Sequence, residues 1–201
     1  MTIYRGYVGT YTKGESKGIY TFTLDTATAT LHEASLVAQI EDPTYLCVTK
    51  DEQTLYAVAK QNQMGGIASF AIQKETGQLT SKDFQATEGS SPCYVSVNQA
   101  NNQVLAAYYH RGTAEIYPVL ENKLQPISSL IQFEGNGPNQ ARQEKPHAHY
   151  ANFTPDQTYA VIVDLGTDEI TTYRMHNNQF EEANTLKLKP GSGPRHLTFH
   201  P

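Results

Sequence analysis

Two histidines one residue apart, His147 and His149, close the stretch from Gly135 to Tyr150, GNGPNQARQEKPHAHY, which also carries Arg142, Glu144 and Lys145. A neutral imidazole can take a proton from water, a guanidinium can hold an anion or a developing oxyanion, and a carboxylate can orient either. Those are the parts of an acid–base site for an anionic substrate. Each also has a plainer explanation: Arg142, Glu144 and Lys145 could be solvated loop residues with weak local ion pairs, and His149 a strand histidine satisfied by its neighbours.

Alternation along a strand would turn His147 and His149 to one face, which is how a metal-binding HxH pair is built. No third ligand follows at a recognisable spacing, so hydrogen bonding or proton transfer is the favoured use and no metal or cofactor is expected. His32, His110, His176 and His200 fall mostly at turns. Of these, His110, beside Arg111 at a strand end, is kept as a lesser candidate. GxSxG, HExxH, the phosphate-cradling GxxxxGK[ST] and a GxGxxG after a strand are all missing. What remains suits a neutral histidine activating water, with arginines around it.

The whole chain narrows the setting. Its 201 residues are 38% hydrophobic, with 13 Tyr and 7 Phe, enough for a sizeable core. A formal charge of -5 with 17% charged residues argues against nucleic acid as a partner, since phosphate backbones are held by clustered Lys and Arg. The first residues, MTIYRGYVGTYT, carry no apolar leader pattern, and no run reaches membrane-span length, so the expectation is a cytoplasmic protein with no membrane partner. Cys47 and Cys93 each lie in an apolar run and read as small core residues.

The elements that must position the site repeat. Pro43-Thr44-Tyr45-Leu46, Pro92-Cys93-Tyr94-Val95, Ala148-His149-Tyr150-Ala151 and Pro194-Arg195-His196-Leu197 start 49, 56 and 46 residues apart. A second marker leads from glycine into an isoleucine strand at Gly18, Gly66, Gly112 and Gly166, and a third is a polar turn ending at Leu31, Leu79, Leu124 or Phe180. Between them lie short β-branched or aromatic segments such as Thr54 to Ala59, Val104 to Tyr109 and Thr158 to Val163. No stretch sustains a helical period.

Units of about 50 residues with four strands are blades of a β-propeller. The expected fold is therefore all-β, a propeller of four-stranded antiparallel blades. Residues 1–40 supply three strands, near Tyr7 to Thr12, Gly18 to Leu24 and Leu31 to Gln39; 41–89, 90–145 and 146–190 are complete blades; 191–201 hold the first strand of another, Arg195 to Phe199. Sixteen strands make four blades. The last residues, Phe199-His200-Pro201, align with Phe153-Thr154-Pro155, which lead into a further strand, so the chain reads as cut within a blade. Open blade edges would invite self-association.

Thr44, Cys93, His149 and Arg195 hold equivalent places at the start of successive innermost strands, which ring one mouth of a propeller's channel. His149 and Arg195 are thus expected to be neighbours, with His196 one residue further in and the loop 135–148 folded over them.

The combination of GTYT (Gly9 to Thr12), GNGPN (Gly135 to Asn139), RQEKPHAH (Arg142 to His149), VDLGTDEI (Val163 to Ile170) and GPRHLTFHP (Gly193 to Pro201) resembles the seven-bladed β-propeller lactonases. These are of the 6-phosphogluconolactonase type, related to carboxy-cis,cis-muconate cyclases. The resemblance runs the length of the chain and implies a seven-bladed fold, of which about four blades are present. It also implies hydrolysis of a sugar lactone, 6-phosphogluconolactone of the pentose phosphate pathway, at a site using His149, Arg195, Arg142 and Glu144. In that reading His149 is the base, Arg195 holds the oxyanion and Glu144 orients a neighbour. Arg142, with His147, His196 and Lys145, binds the substrate. The alternatives are a muconate-type cycloisomerase and a propeller that binds a sugar acid or a protein without turnover.

Overall fold

The strand Thr54–Gln61, TLYAVAKQ, is buried over its first six residues, although its side chains alternate between two faces. Leu55, Ala57 and Ala59 join one apolar cluster with Ile19 and Val37, while Tyr56 and Val58 join another with Val95, Val104 and Tyr108. A strand buried on both faces must lie in a sheet sandwiched between two others. That is the arrangement of a propeller blade.

The structure is a computed structural model that describes residues 3–200; residues 1, 2 and 201, included above in the first and last units, lie outside it. Among the described residues 17 strands form separate antiparallel sheets. The first sheet holds β1 (Ile3–Gly9), β2 (Gly18–Asp25), β3 (Thr30–Leu31) and β4 (Ser35–Gln39). The second runs β5 (Leu46–Val48), β6 (Thr54–Gln61), β7 (Met64–Ile72), β8 (Leu79–Glu88). The third holds β9 (Tyr94–Val97), β10 (Gln103–Tyr108), β11 (Thr113–Leu120), β12 (Lys123–Leu124) and β13 (Ser129–Gln132). The fourth runs β14 (Ala148–Phe153), β15 (Tyr159–Asp164), β16 (Glu169–His176), β17 (Gln179–Lys187). No helix among them is long and apolar enough to cross a membrane.

Three apolar clusters fill the three spaces between successive sheets. On β10, Leu105 and Ala107 face β14 and β15, while Val104, Ala106 and Tyr108 face the second sheet. Hairpins hold the strands in register through two-residue turns with positive φ at both positions: Asn62–Gln63, Glu121–Asn122 and Asn177–Asn178. Asparagine tolerates that conformation better than most side chains, and turns of this hand match the strand twist.

Several expectations are corrected. The first strand is Ile3–Gly9 rather than Tyr7 to Thr12, and Leu31 to Gln39 is divided, because β3 and β4 pair with opposite ends of β2. Arg195 to Phe199 is not a strand: a strand exists by its ladder, and among the described residues this segment pairs with none. Gly112 and Gly166 do not hold one turn position. The pairs Tyr108↔Thr113 and Asp164↔Glu169 close loops of equal length, in which Gly112 comes last and Gly166 second.

The approach to the site depends on Gly166. A Cβ there would lie 2.0 Å from the Lys145 carbonyl oxygen and 2.8 Å from His147 N, so only glycine lets the chain before β14 lie against this turn. Gly14 has no heavy atom within 4 Å of its would-be Cβ. Gly166→Ala should therefore destabilise the fold by about 1–3 kcal/mol, and Gly14→Ala should not. Urea unfolding midpoints compare the two; equal midpoints would contradict the close approach.

Candidate active site

The loop carrying Arg142 and Glu144 folds around a buried side chain rather than an apolar one. Gln143 donates through Nε2 to the Leu165 carbonyl at 2.9 Å and to Asp168 Oδ1 at 2.8 Å, and its Oε1 accepts from Asn139 N at 3.2 Å. The amides of Arg142 and Gln143 return to the Asn139 carbonyl, making a turn that leaves Arg142 exposed beside the start of β14. Asp164 Oδ1 then accepts from the amides of His147 and Gly166, both at 2.8 Å, which fixes where the loop becomes a strand.

The two histidines part at this point. The register slips between Ala148 and Tyr150, so His149 occupies a bulge, while His147 lies before the strand begins. His147 is buried, stacked on Tyr109 with ring centroids 4.1 Å apart. Its Nδ1 lies 2.9 Å from the Tyr109 carbonyl and its Nε2 3.1 Å from Glu144 Oε2. Both partners are acceptors, so both bonds form only when both ring nitrogens carry hydrogen. The bond from His147 holds the Glu144 carboxyl below its usual range.

His149 faces the other way, into a cleft of about 620 Å³ lined by Arg142, Arg195, His196, Tyr109, His110, Cys93, Tyr45 and Lys60 among others. Its Nε2 accepts a 2.9 Å hydrogen bond from Arg195 Nε, which puts the ring hydrogen on Nδ1, a buried atom with no partner in the structure. Burial pulls the imidazole down to about pKa 4, and the charges of Arg195, His196 and Arg142 act in the same direction. The ring is therefore neutral at physiological pH. His196 stands edge-on to it at 5.0 Å and is also lowered, by burial and by Arg195.

Below the cleft the residues following each inner-strand start form a column of rings. Tyr45 and Tyr94 lie 4.1 Å apart, Tyr94 and Tyr150 4.6 Å, and His196 caps them 5.8 Å from Tyr94. The Cys93 thiol has the carbonyls of Ala107, Ala148 and His149 within reach as acceptors for its one hydrogen, and burial pushes it up to about 11, so it is no thiolate nucleophile at neutral pH. Among the described residues no three His, Cys, Asp or Glu side chains group to hold a metal ion.

The structure thus gathers His149, Arg195, Arg142 and His196 on the cleft, with His110 beside them. It places His147, Glu144 and Lys145 elsewhere: the first two bond each other behind Tyr109, and Lys145 Nζ donates to the His110 carbonyl at 2.8 Å. Tyr109 and Lys60 were missed by sequence reasoning. Tyr109 opens the loop after β10 of the neighbouring blade, and the adjacent His110 was the only residue there that sequence marked. Lys60, on β6 and paired with Glu41 at 3.7 Å, also lines the cleft.

Because the folded chain resists protonating His149, the unfolded chain binds that proton first between the ordinary value of 6.5 and about 4. Stability should be full above pH 6.5 and fall as pH drops through that window, with His196 adding in the same sense. Urea midpoints taken stepwise in pH should show the slope, shallower in His149→Gln; an identical slope in that variant would contradict the assignment.

The cleft and its arginines lie in a chain with clear relatives. Residues 5–201 match the family model described as lactonase, 7-bladed beta-propeller. The chain is 46% identical to the 6-phosphogluconolactonase of Bacillus subtilis (strain 168), aligned over 100% of this chain and 58% of the relative. A crystal structure of a Lactobacillus plantarum protein superposes with a TM-score of 0.92 at 36% identity, covering 98% of this chain and 57% of that one. The periplasmic gluconolactonase of Pseudomonas aeruginosa superposes with a TM-score of 0.89 at 27% identity, over 98% and 59%. The chain spans somewhat over half the length of each of these relatives. With four successive antiparallel sheets, inner-strand starts converging on one cleft, and a family match over nearly all its residues, the chain belongs to the seven-bladed β-propeller lactonases.

Proposed function

We propose that the cleft opens the ring of a sugar lactone, 6-phosphogluconolactone or a close relative, giving the sugar acid. The observation that carries this reading is the Arg195 Nε to His149 Nε2 bond at 2.9 Å beside Arg142, in a chain so similar to a 6-phosphogluconolactonase. A neutral imidazole and a guanidinium in contact are the base and the oxyanion partner of carbonyl hydrolysis.

The geometry imposes an order. Only Nε2 carries a lone pair, and Arg195 occupies it, so Arg195 must turn to the lactone carbonyl before His149 can take a proton. Its departure removes one of the charges that depress the imidazole. Water then attacks the carbonyl carbon while Nε2 accepts its proton, and Arg195 holds the oxyanion. Collapse breaks the ring C–O bond, and the alkoxide leaving group recovers the proton from the imidazolium. Arg142 and Lys60, which also line the cleft, would hold the phosphate or carboxylate. Glu144 and Lys145 act through the loop rather than on the substrate.

Hydrolysis of 6-phosphogluconolactone, corrected for its spontaneous rate, tests this on the 201-residue chain and on a form extended to the relatives' length. His149→Ala should lower turnover about a hundredfold or more, while Glu144→Gln should stay within roughly threefold, as a group off the substrate would. Unchanged turnover in His149→Ala would remove the base, and no turnover in either unmodified form would sink the lactonase reading in favour of binding alone.

A further inference from the structure

The loops that close β10–β11 and β15–β16 have the same length, and their last residues are Gly112, with φ 65°, and Asp168, with φ 60°. Left-handed backbone strains a residue with a side chain, a strain that glycine avoids and that an aspartate bears when its side chain is hydrogen-bonded. The third sheet uses glycine there; the fourth carries an aspartate. Something must offset the cost, and the carboxylate shows what it is.

Asp168 is buried, and both its oxygens are used. Oδ1 accepts from Gly193 N at 2.7 Å and from Gln143 Nε2 at 2.8 Å, and Oδ2 accepts from Gly191 N at 2.7 Å. Its own carbonyl takes the Leu188 amide at 2.8 Å. Burial alone would raise this carboxyl, but the Gly193 and Gly191 amides and Gln143 outweigh it and hold it below its usual value. Gly191 and Gly193 are themselves at positive φ, 83° and 53°, which turns both amides toward the one anion.

We propose that Asp168 is a positioning residue for the site: it clamps the 189–193 loop so that Arg195 reaches His149, and through Gln143 it ties that loop to the one bearing Arg142. Arg195 follows Gly193 by two residues, and Arg142 adjoins Gln143, so one carboxylate fixes the backbone beside both guanidinium groups. The lactonase reading gives this role its purpose, but the clamp itself can be tested without substrate.

Asparagine tolerates the same backbone and has the same shape, yet its amide group must turn hydrogens toward either Gly191 N–H or the Gly193 and Gln143 donors. The readout is the NMR titration of His149 in Asp168→Asn. The His149 ring faces Arg195, His196, Arg142 and Tyr109, while the Cys93 thiol reaches the His149 backbone carbonyl; Asp168 bonds to none of these side chains. A change in its titration therefore reports the movement of Arg195. The midpoint should rise from about 4 by roughly one unit or more as Arg195 leaves and water reaches the ring. An unchanged midpoint in the folded variant would overturn the proposal.

Hydrogen exchange in the unmodified chain gives a second test that needs no variant. The Gly191 and Gly193 amides should exchange slowly although their loop is largely exposed, and exchange at the rate of a free loop would overturn the clamp. Failure of lactone turnover would bear only on the proposed function, since neither measurement uses substrate.

Discussion

The hydrogen bond from Arg195 Nε to His149 Nε2 joins the segment after the fourth sheet to the inner strand of that sheet, and the arrangement of the cleft follows from it. It selects the ring tautomer and adds to the burial that keeps the imidazole neutral. Neither partner is placed by its own strand alone. His149 reaches the cleft through a bulge in β14, and Arg195 comes from a loop held by a carboxylate. Beneath them, successive sheets must bury both faces against each other, which brings the inner-strand starts close enough to share one cleft.

Much of this was legible in the sequence because a repeat turns position along the chain into position around a ring. Aligning Pro43, Pro92, Ala148 and Pro194 put His149 beside Arg195, and the next residues, Tyr45, Tyr94, Tyr150 and His196, do form a column of rings. The strand segments were visible from their β-branched and aromatic runs, since burial on both faces leaves little room for polar residues. What did not show was whatever depends on ladder register or on partners far along the chain. Alternation put His147 and His149 on one face, but the bulge separates them. Lys145 was drawn away by the His110 carbonyl, and Tyr109 reaches the site from a neighbouring sheet. Arg195 to Phe199 has the composition of a strand without the ladder that would make it one. Asp168 lay inside a noted motif, yet its importance shows only when its turn is superposed on that of Gly112.

The polar groups of the loop serve placement more than binding. Gln143, Asp164 and Asp168 are buried: Gln143 uses both ends of its amide and Asp168 both oxygens, while Asp164 holds two backbone amides through Oδ1 and leaves Oδ2 without a hydrogen-bond partner. Their reward is precision: Gly166 lets backbone approach where a Cβ would not fit, Gly191 and Gly193 turn at a positive φ that would strain a side-chain residue, and the carboxylates fasten the backbone there. The cleft keeps Arg142 and Arg195 exposed, with the half-buried Lys60 paired to Glu41.

The most direct test of the account is where the sugar acid product binds. Titrating 6-phosphogluconate into the chain and following the side-chain nitrogen resonances of its arginines, lysines and histidines locates the ligand whether or not turnover occurs. The account expects Arg195, Arg142, His149 and His196 to shift together and saturably, with His147 and Lys145 unmoved. Shifts confined to His147 and Lys145, or to Arg5 and Lys74 in the separate groove between β1 and β5, would place the ligand elsewhere and contradict it.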